Sequence, residues 1–204
     1  MPEPFLYEEL NAVSRFGVLK MEMPEAVALN LNPKYEVRPY QIDAFARFFH
    51  CHKRDFPGKV YPLYFLFNMA TGSGKTLIMA GLILYLYEQG YRNFLFFVNS
   101  TNIIQKTKDN FLNPLSSKFL FIPDIVIGDR HVRVSPVENF EGVNPNDINI
   151  CFTTIQKLHI DLTTEKENAI KSQEYEKAAR LRDTERKLKI KYETEKKQWE
   201  ESKE

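Results

Sequence analysis

Seven residues, Ala70-Thr71-Gly72-Ser73-Gly74-Lys75-Thr76, constrain what this chain can fold into more than any other stretch. They have the spacing of a phosphate-binding loop, and they lie between an apolar run, Tyr64 to Met69, and a helix-like run that begins at Leu77. Gly72 and Gly74 leave room for backbone N–H groups to curl around phosphate oxygens. Lys75 is placed to reach the β- and γ-phosphates, and the Thr76 hydroxyl can ligate Mg²⁺ at the start of a helix. With Thr71 and Ser73 completing the loop, the pattern predicts a site for a nucleoside triphosphate. A glycine-rich turn arising by chance would not bring these flanks. Phe65-Leu66-Phe67 reads as a buried parallel strand, and the apolar run from Leu77 to Tyr87 reads as a core helix. That run stops well short of the roughly 20 residues a membrane span needs.

The rest of the first 160 residues alternates short apolar runs with helical patterns, as parallel α/β folds do. An entry helix is expected from Arg38 to Lys53, a second strand from Asn93 to Asn99, and a helix around Asn102 to Phe111. An irregular, proline-containing stretch follows, and then a strand from Ile148 to Phe152. In such a sheet a nucleotide sits at the carboxyl ends of the strands.

Composition breaks near residue 160. From Asp161 to Glu204, 24 of 44 residues are charged, 12 basic and 12 acidic, against 31 in the first 160, and every Gly and Pro lies before the break. The tail therefore reads as helix, with a start expected at Thr164-Glu165-Lys166-Glu167, which has the spacing of a capping box. Positions 178, 181, 185, 188, 192, 195 and 199 form a helical stripe of Ala, Leu, Glu, Leu, Tyr, Glu and Trp. Its five apolar members suit packing along a partner, and its two glutamates weaken a continuous seam. Three segments are expected: an N-terminal extension (1–34), an incomplete P-loop domain (35–160) and a charged helical tail (161–204).

The formal net charge of +1 gives no global basic field, so any contact with a polyanion must come from local geometry. Cys51 and Cys151 lack metal-ligand spacing and suit buried thiols in a reducing cytosol, which predicts a cytoplasmic protein. No membrane association is expected.

The loop and its surroundings, over roughly residues 35 to 165, resemble the first RecA-like domain of superfamily 2 helicases and translocases. The likeness is strongest to the ATPase part of type III restriction endonuclease Res subunits. Arg38-Pro39-Tyr40-Gln41 resembles the motif whose glutamine reads the adenine edge, which assigns Gln41 to ATP; as a bare string, Tyr40 suits the core equally well. Phe96-Phe97-Val98-Asn99-Ser100 through Gln105 resembles the family's motif Ia. Phe152-Thr153-Thr154-Ile155-Gln156-Lys157-Leu158-His159 resembles its Thr-Thr-Ile-Gln-Lys-Leu-His run. The resemblance implies a partial RecA-like fold with a parallel sheet, ATP and Mg²⁺ as cofactors, and a modification subunit as partner. It also implies double-stranded DNA held by backbone contacts, with Ser100, Thr153 and Gln156 as candidates. Small hydroxyl and amide groups at strand ends can bond phosphate and sugar oxygens without reading bases. On spacing alone, Ser100, Thr153 and Thr154 suit helix capping just as well. His159 is assigned no catalytic role.

A second resemblance lies in the tail. Ala169 to Asp183, with its core Tyr-Glu-Lys-Ala-Ala-Arg-Leu-Arg-Asp, resembles a UVR motif, the helical hairpin of UvrB and UvrC, and especially its version in ClpC-type chaperones. It implies a hairpin that binds a protein partner. The motor pattern is incomplete, because no Asp-Glu dipeptide occurs anywhere in the chain. Ile125-Val126-Ile127-Gly128-Asp129 outlines an apolar strand ending in Asp, but Arg130 follows where Glu is wanted. No catalytic residue is assigned. The expectation is an ATP-binding N-terminal part of a restriction-type DNA translocase, truncated or fused to a chaperone-type hairpin and with little or no turnover. The alternative is a nucleotide-binding platform with an interaction hairpin and no motor activity.

Overall fold

The computed structural model describes residues 6–54, 59, 61–98, 100–154, 157, 163–168 and 175–201, with backbone alone at 175–178, 191–192 and 195–201. Asn99, Gln156, His159 and 169–174 of the UVR-like stretch lie outside the described residues. The elements in chain order are α1 (Leu6–Arg15), α2 (Glu25–Ala28), α3 (Pro39–Lys53), α4 (Lys75–Glu88), β1 (Asn93–Val98) and α5 (Thr101–Leu112). They continue with β2 (Ile125–Ile127), β3 (Arg130–Val132), β4 (Val134–Val137), β5 (Ile148–Thr154), α6 (163–168) and α7 (Tyr175–Glu201). This is the expected α/β arrangement followed by helices. The chain divides into two compact units, Met1–Phe94 with Gln105–Cys151, and Leu95–Ile104 with Phe152–Glu204.

In the first unit α4 is apolar on every side, and Leu77, Ile78, Ala80, Gly81, Leu84, Tyr85 and Tyr87 are buried. A helix with no polar face must be surrounded. α3 covers one side through an aromatic cluster in which the Phe49 and Tyr85 ring centroids lie 4.4 Å apart and Phe48 meets Tyr85 edge-on at 6.1 Å. Contacts of this kind add about 0.5–1.5 kcal/mol to the area they bury. Gly81 lets the elements close up, since a Cβ there would lie 2.5 Å from the Phe45 ring and 3.0 Å from Val27 of α2. In a second cluster Phe111 of α5 meets Phe121 edge-on, with ring centroids 5.5 Å apart. Buried Asn30 then serves as a strand partner to β2: it donates to the Val126 carbonyl and accepts the Val126 N–H, both at 2.8 Å.

The sheet order is β1-β5-β4, and β4 runs parallel to β5 from Val134↔Ile148 to Val137↔Cys151. Central β5 is buried on both faces except at Phe152, whereas edge strand β1 alternates exposed and half-buried residues. β2 and β3 form a separate antiparallel hairpin turned by Gly128 and Asp129. The proline-containing stretch expected to be irregular thus carries three short strands: β2 follows the apolar outline of Ile125-Val126-Ile127, whereas β3 and β4 are too brief to show a period of two. Asp129 sits exposed in the turn between β2 and β3, outside the parallel sheet.

The run before the phosphate loop differs from its expectation. Residues 63–70 are extended but form no strand, and from Phe65 to Met69 no backbone bond to another strand exists among the described residues. Phe65 and Phe67 pack on Phe48 at 5.0 and 6.2 Å, while Leu66 is 94% exposed. Apolar content sets the extended shape and one buried face. A strand buried on both faces also needs a paired neighbour on its edges.

In the second unit, Thr164 is already inside α6, so the helix begins earlier than the capping-box reading placed it. Lys166 of α6 and Glu185 of α7 form an ion pair at 2.7 Å with both side chains about four-fifths buried (22% and 20% exposed). One of the two glutamates read as interruptions in the stripe therefore has a partner of its own.

Two outcomes follow from the α3–α4 packing. Gly81→Ala gains about 1 kcal/mol of helix propensity but crowds a fully buried ring at a cost of about 1–3 kcal/mol. Urea denaturation should show a net loss of up to about 2 kcal/mol. The second outcome concerns pH. Burial, helped by Arg54, holds His50 below the usual 6.5, and burial, helped by Lys59 and Lys53, does the same for His52, whose Nδ1 lies 3.0 Å from the Tyr85 hydroxyl. Burial pushes Tyr85 up to about 12, so it stays a neutral donor. The unfolded chain binds protons at these histidines as the pH falls through about 6.5, and the folded chain binds them only at lower pH. Stability should be level above that value and fall below it, so the urea midpoint should drop between pH 7.5 and 5.5, and less steeply in His52→Gln.

Candidate nucleotide site

The loop from Ala70 to Thr76 opens directly into α4, whose N-cap is Gly74. Both of its glycines are left-handed, Gly72 at φ +80° and Gly74 at φ +83°, a region that costs other residues roughly 1–2 kcal/mol. At Gly72 only the dihedral matters, since nothing lies within 4 Å of where a Cβ would be. At Gly74 space matters too, because a Cβ would run into Nε2 of Gln41.

The Gly74 carbonyl accepts the N–H groups of Leu77 (2.9 Å) and Ile78 (3.2 Å), which closes the first turn of α4. Among the described residues, the N–H groups of Gly72, Gly74, Lys75 and Thr76 have no acceptor. Four such donors lie at or just before the positive end of a 14-residue helix, an environment that favours negative charge. Lys75 adds charge. Its ammonium is exposed and donates to the carbonyls of Met69 (2.9 Å) and Ala70 (2.8 Å), which leaves one of its three donors open. The Ser73 Oγ is buried and has no hydrogen-bond partner among the described residues. A buried hydroxyl in that condition carries a desolvation cost of about 1–3 kcal/mol.

α3 supplies the wall beside the loop. Buried Gln41 accepts the Arg38 N–H through Oε1 at 2.9 Å and donates through Nε2 to the Ser73 carbonyl at 2.8 Å. Both ends of its carboxamide are thus engaged within the protein. The neighbouring Tyr40 donates its hydroxyl to the same Ser73 carbonyl at 3.1 Å. Sequence reasoning left Tyr40 between core and motif; the available signal was its position in the first turn of α3, beside Gln41. Next to the loop lies a cavity of about 950 Å³ bounded by α1, α3 and residues 64–70, within the size range of small-molecule sites. Its wall includes Tyr7, Tyr40, Phe48 and Phe67, with an Asp43–Arg47 pair at 2.8 Å that Asn11 extends at 3.0 Å. Cys51 also lines it, with a thiol pushed up by burial and therefore uncharged and unreactive. Among the described residues no group of three His, Cys, Asp or Glu could hold a metal ion.

The sequence-predicted residues thus fall into two groups. Gln41 and Thr71 through Thr76 come together in the first unit, whereas Ser100 and Thr153 belong to the second. The Ser100 carbonyl accepts the N–H groups of Ile103 (3.2 Å) and Ile104 (3.3 Å) at the start of α5. Thr153 is buried, with its hydroxyl 3.4 Å from the Thr154 carbonyl, and Thr154 Oγ1 accepts the Lys157 N–H at 3.1 Å. Thr154 Oγ1 thus accepts the N–H three residues on, the contact a capping threonine makes. Among the described residues no helix is long and apolar enough to cross a membrane.

Known proteins agree with this architecture. Residues 34–191 match the family model described as "Type III restriction enzyme, res subunit". Over 149 residues, 72% of this chain, the sequence is 48% identical to the "Probable type III restriction-modification enzyme HindVIP Res subunit" of Haemophilus influenzae. The match spans about 29% of that curated relative's length. No solved structure matches the chain. With a glycine-rich loop ahead of a buried helix, and a match over most of its length, the chain belongs to the type III restriction enzyme Res subunit family.

Proposed function

We propose that this chain binds ATP together with Mg²⁺ at Thr71–Thr76, as part of the DNA-translocating machinery of a restriction-modification system. The observation that carries this reading is the set of four unsatisfied N–H groups at Gly72, Gly74, Lys75 and Thr76 beside the Lys75 ammonium. These donors suit the oxygens of a triphosphate, and the Thr76 hydroxyl suits one position on Mg²⁺. The ion, when bound, neutralises phosphate charge. The orphaned Ser73 Oγ supports the reading as a further donor in want of an acceptor. Lys75 would leave the Met69 and Ala70 carbonyls for the phosphates, exchanging two neutral acceptors for charged ones.

Turnover needs more than this. A positioned general base contributes about 10²–10⁴ in rate, and the Asp-Glu pair that would orient the ion and the attacking water is absent from this sequence. The chain is therefore read as a holder of ATP with little or no hydrolysis of its own. Duplex DNA would be held through its backbone, with Ser100 the better-placed of the described candidates because Thr153 is buried. A modification subunit is the expected partner, following the name of the Haemophilus relative, and the setting is the cytoplasm. The tail from 161 onward is read as a separate interaction module of UVR type. Leu188 and Ile190 of α7, 42% and 57% exposed, support it as apolar surface for a protein partner.

Lys75→Ala should abolish ATP binding measured by calorimetry, and unchanged affinity would refute the site. Hydrolysis measured in parallel, with and without duplex DNA, should stay near background. Rapid metal-dependent phosphate release would show that the missing carboxylates are not required.

A further inference from the structure

We propose that Tyr40 is a positioning residue for the phosphate loop, acting jointly with Gln41 to set the orientation of one peptide plane. This rests on the reading of the loop as a nucleotide site.

The Ser73 carbonyl receives two donors, the Tyr40 hydroxyl at 3.1 Å and Gln41 Nε2 at 2.8 Å, both from the first turn of α3. A carbonyl oxygen has two lone pairs, so this one is fully engaged. In a trans peptide the carbonyl of one residue and the N–H of the next point to opposite sides of the same plane. Holding the Ser73 oxygen toward α3 therefore turns the Gly74 N–H away from α3, where it joins the unsatisfied N–H groups of Lys75 and Thr76. Rotation of this plane would replace that donor with a carbonyl oxygen, a partial negative charge facing phosphate. Glycine at 74 makes such a rotation inexpensive, since left- and right-handed conformations cost it about the same. The plane consequently needs an external restraint.

The restraint has a defined direction. The Arg38 N–H fixes Gln41 Oε1 at 2.9 Å, which leaves the NH₂ end of the carboxamide for the loop. Gly74 has no side chain to block it. Gln41 then contributes to affinity by holding the loop in shape, a task indifferent to the base, whereas a glutamine that reads adenine favours ATP alone. Tyr40 is 42% exposed and serves the same carbonyl from the solvent side.

The test uses the full chain and three probes with Mg²⁺: inorganic tripolyphosphate, ATP and GTP, each titrated by calorimetry. Tyr40→Phe keeps the ring and removes the donor. Gln41→Glu keeps an acceptor for the Arg38 N–H but sets a carboxylate against the Ser73 carbonyl. Tyr40→Phe should weaken all three probes by the same factor, about threefold to tenfold, the worth of one hydrogen bond. Gln41→Glu should weaken them equally among themselves and by more. Before any ligand is added, the Gly74 amide nitrogen resonance should move in Tyr40→Phe while that of Gly81, farther along the same helix, stays in place. Loss confined to ATP would mean that these side chains read the base. Unaltered affinities, or an unmoved Gly74 resonance, would overturn the proposal with the nucleotide site intact. Failure of the unmodified chain to bind any of the three probes would instead remove the nucleotide reading, and the peptide-plane proposal with it.

Discussion

The contact between α3 and α4 is the interaction on which the first unit depends. α4 carries no polar face, so it is stable only where something covers it, and the rings of Phe45, Phe48 and Phe49 supply one side of that cover. Gly81 sets how closely the helices approach. The same packing fixes where the first turn of α3 lies, and therefore brings Tyr40 and Gln41 within hydrogen-bonding distance of Ser73. The geometry of the loop is thus a consequence of aromatic packing two to three turns farther along both helices.

This coupling explains how the loop can leave so many donors unsatisfied. Among the described residues the N–H groups of Gly72, Gly74, Lys75 and Thr76 lack acceptors, as the first turn of any helix leaves its own, and the desolvation cost falls on the buried Ser73 hydroxyl. Here the left-handed glycines and the restraint on the Ser73 carbonyl keep the chain from collapsing onto its own acceptors. Lys75 alone folds back, onto Met69 and Ala70, which keeps its charge solvated and hydrogen-bonded.

Much of the fold was legible because the deciding forces are local. α3, α4, α5, β1 and β5 appear within a residue or two of where periodicity placed them, since a continuous apolar run or a helical stripe reports its own shape. β2 was outlined by Ile125-Val126-Ile127, but β3 and β4 were not legible, because strands of three or four residues carry too few positions to show alternation. The extended run at 63–70 was misread for a different reason. Phe65, Leu66 and Phe67 have the composition of a buried strand, but whether such a segment joins a sheet depends on a neighbour's backbone, which composition cannot report.

In the site, the residue types of the loop by themselves settled the left-handed glycines, the lysine at the helix start and the helix that follows, because these depend on sterics and on contacts within one turn of chain. Family membership was visible in the same residues. What Gln41 and Tyr40 touch within the protein was decided by tertiary structure alone: a carboxamide can address an adenine or a carbonyl with equal chemistry, and the packing of α3 brings the Ser73 carbonyl within its reach. Hydrogen bonds act over about 3 Å, and no sequence spacing of 32 or 33 residues can specify that separation until the helices have packed.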